Sequence, residues 1–140
     1  MQLSQHFLLG EFTKSSYPEV YNIPSHVAIE NMKRICGWLE VLRDRYGSPI
    51  IINSGYRSPQ LNKRVGGVST SNHLTGCAVD IHVENIQQLL RYAVILLDIA
   101  DESKEAFDEL FIEKNKYGRY WVHFAVRPSD NRRKIAFLNG

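Results

Sequence analysis

Cysteine is scarce in this sequence of 140 residues, which contains only Cys36 and Cys77. Two cysteines so far apart are too few for the disulfide framework of a small secreted domain, so we expect both to be small buried residues. Long apolar runs are also missing, since the longest, residues 93–97, is far below the about 20 residues that cross a membrane. The first residues have neither the basic start nor the apolar stretch of a signal peptide. We therefore expect no membrane span and synthesis in the cytoplasm.

The sequence has little excess charge, with 17 Lys and Arg residues against 15 Asp and Glu residues. A net charge of +2 and the lack of a basic aromatic stripe argue against a nucleic-acid-binding module. The composition is 44% hydrophobic and 23% charged, which is ordinary for a soluble globular protein. Because the sequence has neither repeats nor a linker, we expect residues 1–140 to form a single, monomeric domain.

Two segments have the apolar spacing of amphipathic helices. Ser25 is a good N-cap and Gly47 ends the pattern, so we predict a helix over Ser25–Tyr46. Asn85 caps a second helix, which we predict to end near Ala100. The side chains that we expect to face inward from this second helix are Ile86, Leu89, Leu90, Ala93, Leu96 and Leu97.

Short apolar runs predict four strands, at residues 49–54, 77–83, 110–113 and 121–126. Residues 115–119, which include a glycine, would form the hairpin loop between the last two strands. Such a hairpin can place Glu113 opposite Trp121. The predicted fold class is α+β, with two main helices packed on a small, mostly antiparallel sheet.

Two histidines and one aspartate have the character of metal ligands. His73 lies in a polar loop, whereas Asp80 and His123 each lie among the apolar residues of a predicted strand. A buried charge there must be paired, hydrogen-bonded or bound to metal. Two imidazoles and one carboxylate are the ligand set of a catalytic zinc site, which leaves a fourth position for water. The sequence therefore predicts a Zn²⁺ cofactor held by these three residues.

The motifs around these ligands resemble one family. Residues 54–62 read SGYRSPQLN, residues 65–67 read VGG, residues 71–80 read SNHLTGCAVD and residues 120–126 read YWVHFAV. This ordered set resembles the zinc D-Ala-D-Ala carboxypeptidase family of murein peptidases, and especially its short phage-type and bacterial members. The likeness covers roughly residues 6–127. It implies a hedgehog/D,D-peptidase-like fold and a zinc peptidase activity.

The resemblance also implies roles for individual residues. It implies that Arg57 and Ser71 contact the substrate. Arg57 would do so through a guanidinium fork that binds a carboxylate or a polarised carbonyl. We therefore expect Arg57 to be a catalytic residue as well as a substrate-binding one. We also expect Asn62 to orient its loop or to bind peptide, and Trp121, which lies near the predicted ligand His123, to line the cleft.

Hydrolysis by zinc also needs a general base. Many relatives have an acid three residues before the last histidine, where this chain has Tyr120. The family's shorter members carry a Glu at the end of the preceding strand, which is Glu113 here. We therefore expect Glu113 to be the catalytic base, with Asp108 as the alternative.

By this resemblance, the substrate is a peptidoglycan stem peptide, cut as a D,D-carboxypeptidase acts. An endolysin-type murein endopeptidase of phage origin is the alternative within the same chemistry. A catalytically inactive, zinc-containing wall-binding module is the alternative from another class. Without an export signal, action at the cell wall would require release by phage or prophage proteins, or a trimmed signal. The basic residues of segment 127–134 are expected to form a solvated face, or to attract an anionic wall weakly.

Overall fold

A five-stranded sheet lies at the centre of the computed structural model, which describes residues 1–139. The strands are β1 (Ile52–Ser54), β2 (Ala78–His82), β3 (Glu109–Lys114), β4 (Tyr120–Ala125) and β5 (Lys134–Asn139). Their order across the sheet is β1-β2-β4-β3-β5, and every neighbouring pair is antiparallel except β3 and β5. The helices are α1 (Leu9–Thr13), α2 (His26–Tyr46), α3 (Pro59–Arg64) and α4 (Ile86–Ser103), with a short 3₁₀ helix at Asn72–Thr75. The predicted α+β class is confirmed.

Local signals at both ends of α2 account for its bounds. The Ser25 side chain accepts a hydrogen bond from the Ala28 amide. Gly47 has a φ of 87° and its amide donates to the Arg43 carbonyl, so a left-handed residue ends the helix. The buried face of α2 consists of Ala28, Asn31, Met32, Ile35, Cys36, Trp38, Leu39 and Leu42.

Helix α4 begins after Asn85 as predicted but continues to Ser103. Its inward face differs from the prediction, because Ile86 and Leu90 are each 51% exposed. The residues that α4 buries are Leu89, Tyr92, Ala93, Leu96, Ile99 and Ala100. This set has the i, i+3, i+4, i+7 spacing of one face, and Ile86 and Leu90 lie beside that face. Apolar residues therefore occupy a wider sector of α4 than the sector that packs against the rest of the protein.

The hairpin between β3 and β4 has the predicted register, with Glu113 opposite Trp121. The loop closes with a hydrogen bond from the Asn115 amide to the Arg119 carbonyl. Gly118 has a φ of 82°, a conformation that side chains disfavour. Strand β1 is shorter than predicted, since its ladder with β2 begins only at Ile52.

Strand β5 was not predicted. Its sequence contains a short apolar run, residues 135–138, but its side chains are exposed except for Ala136, which is partly buried, so burial does not alternate along the strand as in a half-buried strand. The basic residues just before it are mostly exposed, as expected. However, Arg132 also forms ion pairs with Asp108 and Glu109 at the start of β3. The segment after β4 therefore contacts β3 through both ion pairs and backbone strand pairing.

Cys36 and Cys77 are both free thiols and both buried, as predicted. Within residues 1–139, no helix is long and apolar enough to cross a membrane.

Candidate metal centre

The fold brings His73, Asp80 and His123 together on one face of the sheet. Asp80 and His123 are direct cross-strand partners on β2 and β4, so their side chains project to the same side. His73 comes from the 3₁₀ helix that leads into β2. The three residues are only 3%, 8% and 7% exposed, respectively, and they form one buried cluster.

The spacing within this cluster suits a metal ion. The Asp80 Oδ1 atom lies 3.3 Å from His73 Nε2 and 3.1 Å from His123 Nδ1. One ligand atom from each residue falls within 4.8 Å of the other two. Tetrahedral zinc with bonds near 2.0–2.1 Å would separate its ligand atoms by about 3.3–3.4 Å. The two separations that involve Asp80 therefore suit such an ion, and the cluster could hold a metal.

The remaining imidazole nitrogens have their own partners. His73 Nδ1 lies 2.6 Å from the Gly55 carbonyl oxygen, and His123 Nε2 lies 2.8 Å from Glu109 Oε1. Each partner accepts a proton from that nitrogen, which leaves the nitrogen facing Asp80 free to bind a metal. Sequence reasoning did not identify Glu109. Strand alternation could have found it, because Glu109 lies two residues from Phe111, the cross-strand partner of His123.

Interactions within the cluster shift the pKa values of Asp80 and His123. Burial alone would raise the pKa of Asp80, but the nearby histidines outweigh it and hold that pKa below its usual range. Burial likewise opposes the charged form of His123, yet hydrogen bonds to Asp80 and Glu109 raise its pKa to about 9. A cation in the cluster would take the place of the extra imidazole proton, because metal ligation requires neutral imidazole.

Glu113 and Trp121 lie on the same face as His123, one pleat nearer the hairpin. The Trp121 indole N–H donates to Glu113 Oε2 over 2.7 Å. Glu113 is half-buried, and its pKa is raised by burial first and by the charge of Asp80 second. A carboxylate with a raised pKa beside a possible metal site is suited to accept and return a proton.

Arg57 contacts the cluster through Asp80. Its Nη2 lies 3.5 Å from Asp80 Oδ2, and its Nη1 donates to Asn62 Oδ1 over 3.2 Å. Gly67 lies so close to both side chains that a Cβ there would collide with Asn62. Because Asn62 is 4% exposed and its amide also donates to the Val68 carbonyl, its contacts fit the loop-orienting role.

Ser71 is the N-cap of the 3₁₀ helix, and its hydroxyl oxygen accepts from the His73 amide over 3.1 Å. The residue is partly exposed next to the cluster. Its present contact positions His73, and the hydroxyl proton remains available to a ligand.

Asp108 is fully buried and its carboxylate is occupied by partners within the protein. Arg132 donates to both oxygens, over 2.9 and 2.8 Å, and Asn72 donates over 2.8 Å. Burial opposes ionisation, but these hydrogen bonds hold the pKa of Asp108 well below its usual range. Such a carboxylate is a poor proton acceptor, which disfavours it as the general base.

An α+β fold with a buried His–Asp–His cluster beside a carboxylate is typical of a metal-dependent hydrolase. Residues 6–116 match the family described as Peptidase M15. The chain belongs to this family of zinc metallopeptidases, related to D-Ala-D-Ala carboxypeptidases, so the resemblance seen in the motifs is confirmed. The match includes His73 and Asp80 but ends before His123, which the β2–β4 pairing brings to the cluster. No curated protein matches the chain.

Proposed function

We propose that this chain is a zinc-dependent peptidase that hydrolyses peptidoglycan stem peptides as a D-Ala-D-Ala carboxypeptidase. The main support is the buried His73–Asp80–His123 cluster with Glu113 beside it, in a chain of the M15 family. A binding module would not need a half-buried carboxylate with a raised pKa on the same face as the cluster.

In this proposal, zinc is held by His73 Nε2, an Asp80 oxygen and His123 Nδ1. The donor set, and the separations of 3.1 and 3.3 Å between Asp80 and the two histidines, suit a tetrahedral ion. Bound zinc would supply Lewis-acid polarisation of the scissile carbonyl and would lower the pKa of the attacking water.

Elemental analysis of purified protein tests this ligand set. We expect one zinc per wild-type chain and loss of most of it in His123→Ala, because two protein ligands rarely hold zinc tightly. The matched control is His26→Ala, which removes an exposed histidine at the start of α2. A His123→Ala protein with stoichiometric zinc in this site would contradict the assignment.

Glu113 is the proposed general base. Its carboxylate takes a proton from the attacking water and then delivers it to the leaving amine, as peptide hydrolysis requires. The hydrogen bond from Trp121 fixes one Glu113 oxygen and leaves the other available for the proton. Trp121 would also form part of the wall of the cleft.

Arg57 is proposed to bind the carboxylate at the C-terminus of the stem peptide. Its guanidinium already lies 3.5 Å from Asp80, so a substrate carboxylate on that side would come close to the metal centre. The Ser71 hydroxyl, which caps the 3₁₀ helix that carries His73, can donate to the bound peptide. Asn62 supports this subsite through its contacts with Arg57 and the loop.

Synthetic peptides test the substrate assignment. We expect release of D-alanine from a peptide ending in D-Ala-D-Ala, and little turnover of the same peptide with an amidated C-terminus. The L-Ala-L-Ala peptide is the stereochemical control. Equal turnover of the free acid and the amide would indicate an endopeptidase, whereas wall binding without cleavage would indicate an inactive module.

A further inference from the structure

Three neighbouring side chains contact the His123 ring. Its Nδ1 lies 3.1 Å from Asp80, its Nε2 lies 2.8 Å from Glu109, and its plane stacks on Phe111 with ring centroids 5.3 Å apart. Of these neighbours, Glu109 is the one that contacts the nitrogen facing away from the cluster. Its carboxylate can only accept, so Nε2 carries a proton, and Nδ1 is the nitrogen that would present a lone pair to a bound metal once its own proton is lost.

Glu109 is itself held by two donors from different parts of the chain. The Asn72 amide donates to Glu109 Oε1 over 2.8 Å, and Arg132 Nη2 donates to Oε2 over 3.2 Å. Asn72 begins the 3₁₀ helix that carries His73, so this contact links both histidine-bearing segments through one carboxylate.

Arg132 also neutralises charge at this point. The carboxylates of Asp108 and Glu109 are adjacent in sequence, and Arg132 Nη2 contacts both. Without the guanidinium, the two anions would repel each other and Glu109 could turn away from His123. The segment just before β5 is therefore connected to the metal cluster through Arg132, Glu109 and His123.

We propose that Glu109 is a positioning residue that holds His123 in its metal-binding orientation and tautomer, and that Arg132 keeps Glu109 in place. The proposal rests on the proposed function only in taking His123 as a metal ligand. Carboxylates that accept the second ring proton of a ligating histidine typically contribute about 10- to 100-fold in metal affinity.

The test measures the zinc dissociation constant of each protein by competition with a chromophoric chelator. Glu109→Leu removes the acceptor, and we expect the constant to rise about 10- to 100-fold. Glu109→Gln keeps an acceptor oxygen without the charge, so its affinity should lie between Glu109→Leu and wild type. Glu30→Gln makes the same chemical change on the exposed side of α2 and should leave the constant unchanged.

A double-mutant cycle tests the part played by Arg132. Arg132→Gln should weaken zinc binding in the wild-type background, and should have no further effect in the Glu109→Leu background. Equal effects in the two backgrounds would show that Arg132 acts independently of Glu109.

Nitrogen-15 NMR of the zinc-loaded protein provides a readout that a purely structural role would not change. We expect a His123 Nε2–H resonance protected from exchange in wild type and in Glu109→Gln, and an unprotected one in Glu109→Leu. Circular dichroism checks folding. If Glu109→Leu does not fold, the zinc dissociation constants of Glu109→Gln and Arg132→Gln decide the question.

The outcomes separate this proposal from the proposed function. If the wild-type protein binds no zinc, or if His123→Ala still binds it fully, the ligand set itself is contradicted. Zinc binding that needs His123, with dissociation constants unchanged in the Glu109 variants and Nε2–H protection unchanged in Glu109→Leu, would overturn the role of Glu109 alone.

Discussion

Replacing Glu113 with glutamine separates proton transfer from metal binding. Glu113→Gln preserves the shape of the side chain, and its amide oxygen can still accept the 2.7 Å hydrogen bond from Trp121. The three ligands of the cluster are unchanged, so the variant should retain full zinc. It cannot accept a proton from the attacking water at neutral pH.

The expected loss follows from the usual contribution of general-base catalysis. We expect kcat to fall about 100- to 10,000-fold, with KM little changed because Glu113 does not bind the substrate carboxylate. That loss raises the barrier by about 2.7–5.4 kcal/mol.

Folding should not be impaired by this change. Burial raises the pKa of Glu113, so its ionised form is less favourable in the folded than in the unfolded protein, and the neutral amide removes that cost. Any loss of activity is therefore not explained by unfolding.

The assay compares zinc content and turnover of a D-Ala-D-Ala peptide in the same preparation. Trp121→Phe is the matched control, since it removes the hydrogen bond to Glu113 but keeps the carboxylate, and its loss should be much smaller. A zinc-loaded Glu113→Gln protein with near-normal turnover would refute the assignment. Asp108 would then be tested by Asp108→Asn, assayed below its melting temperature.

Three further predictions concern other parts of the structure. Arg57→Lys keeps the charge but loses the bidentate fork, so zinc content should be unchanged and turnover strongly reduced; wild-type turnover would remove Arg57 from the site. The pKa of Asp108 is lowered from 3.8, so the ionised carboxylate stabilises the fold fully above that pH, and this stabilisation is lost as the pH falls. Asp108→Asn should therefore lower the free energy of unfolding in urea at pH 7 by about 1.5–3 kcal/mol and make stability depend less on acid pH. A pH profile of stability like that of wild type would contradict the ion pairs of Asp108. Burial raises the pKa of Cys36 to about 12 and also raises that of Cys77, so neither thiol should react with a disulfide reagent until the protein unfolds, and rapid labelling of the native protein would contradict their burial.

The elements that could be predicted from the sequence depend on local interactions. Helix α2 is bounded by Ser25 and Gly47, whose capping acts within one turn. The β3–β4 register follows from a five-residue loop, residues 115–119, so the pairing of Glu113 with Trp121 could be predicted from the spacing of the two strands alone.

The features that could not be predicted depend on distant parts of the chain. Strand β5 pairs in parallel with β3, a segment 20 or more residues away. Its residues 135–138 form a short apolar run, but three of these four side chains are exposed, so its place in the sheet does not follow from a buried face. The environment of Asp108 depends on Arg132, which follows it by 24 residues and reaches it only because β5 pairs with β3. Glu109 could have been placed on the His123 face by alternation, but its contact with the ring depends on side-chain geometry.

The most direct test of the whole account is mass spectrometry of muropeptides digested by the zinc-loaded protein, with His123→Ala treated in parallel. We expect wild type to shorten pentapeptide stems by one alanine and His123→Ala to leave them intact. Stems that remain uncut by a fully zinc-loaded wild-type protein, or that are cut equally by His123→Ala, would contradict a zinc peptidase centred on His73, Asp80 and His123.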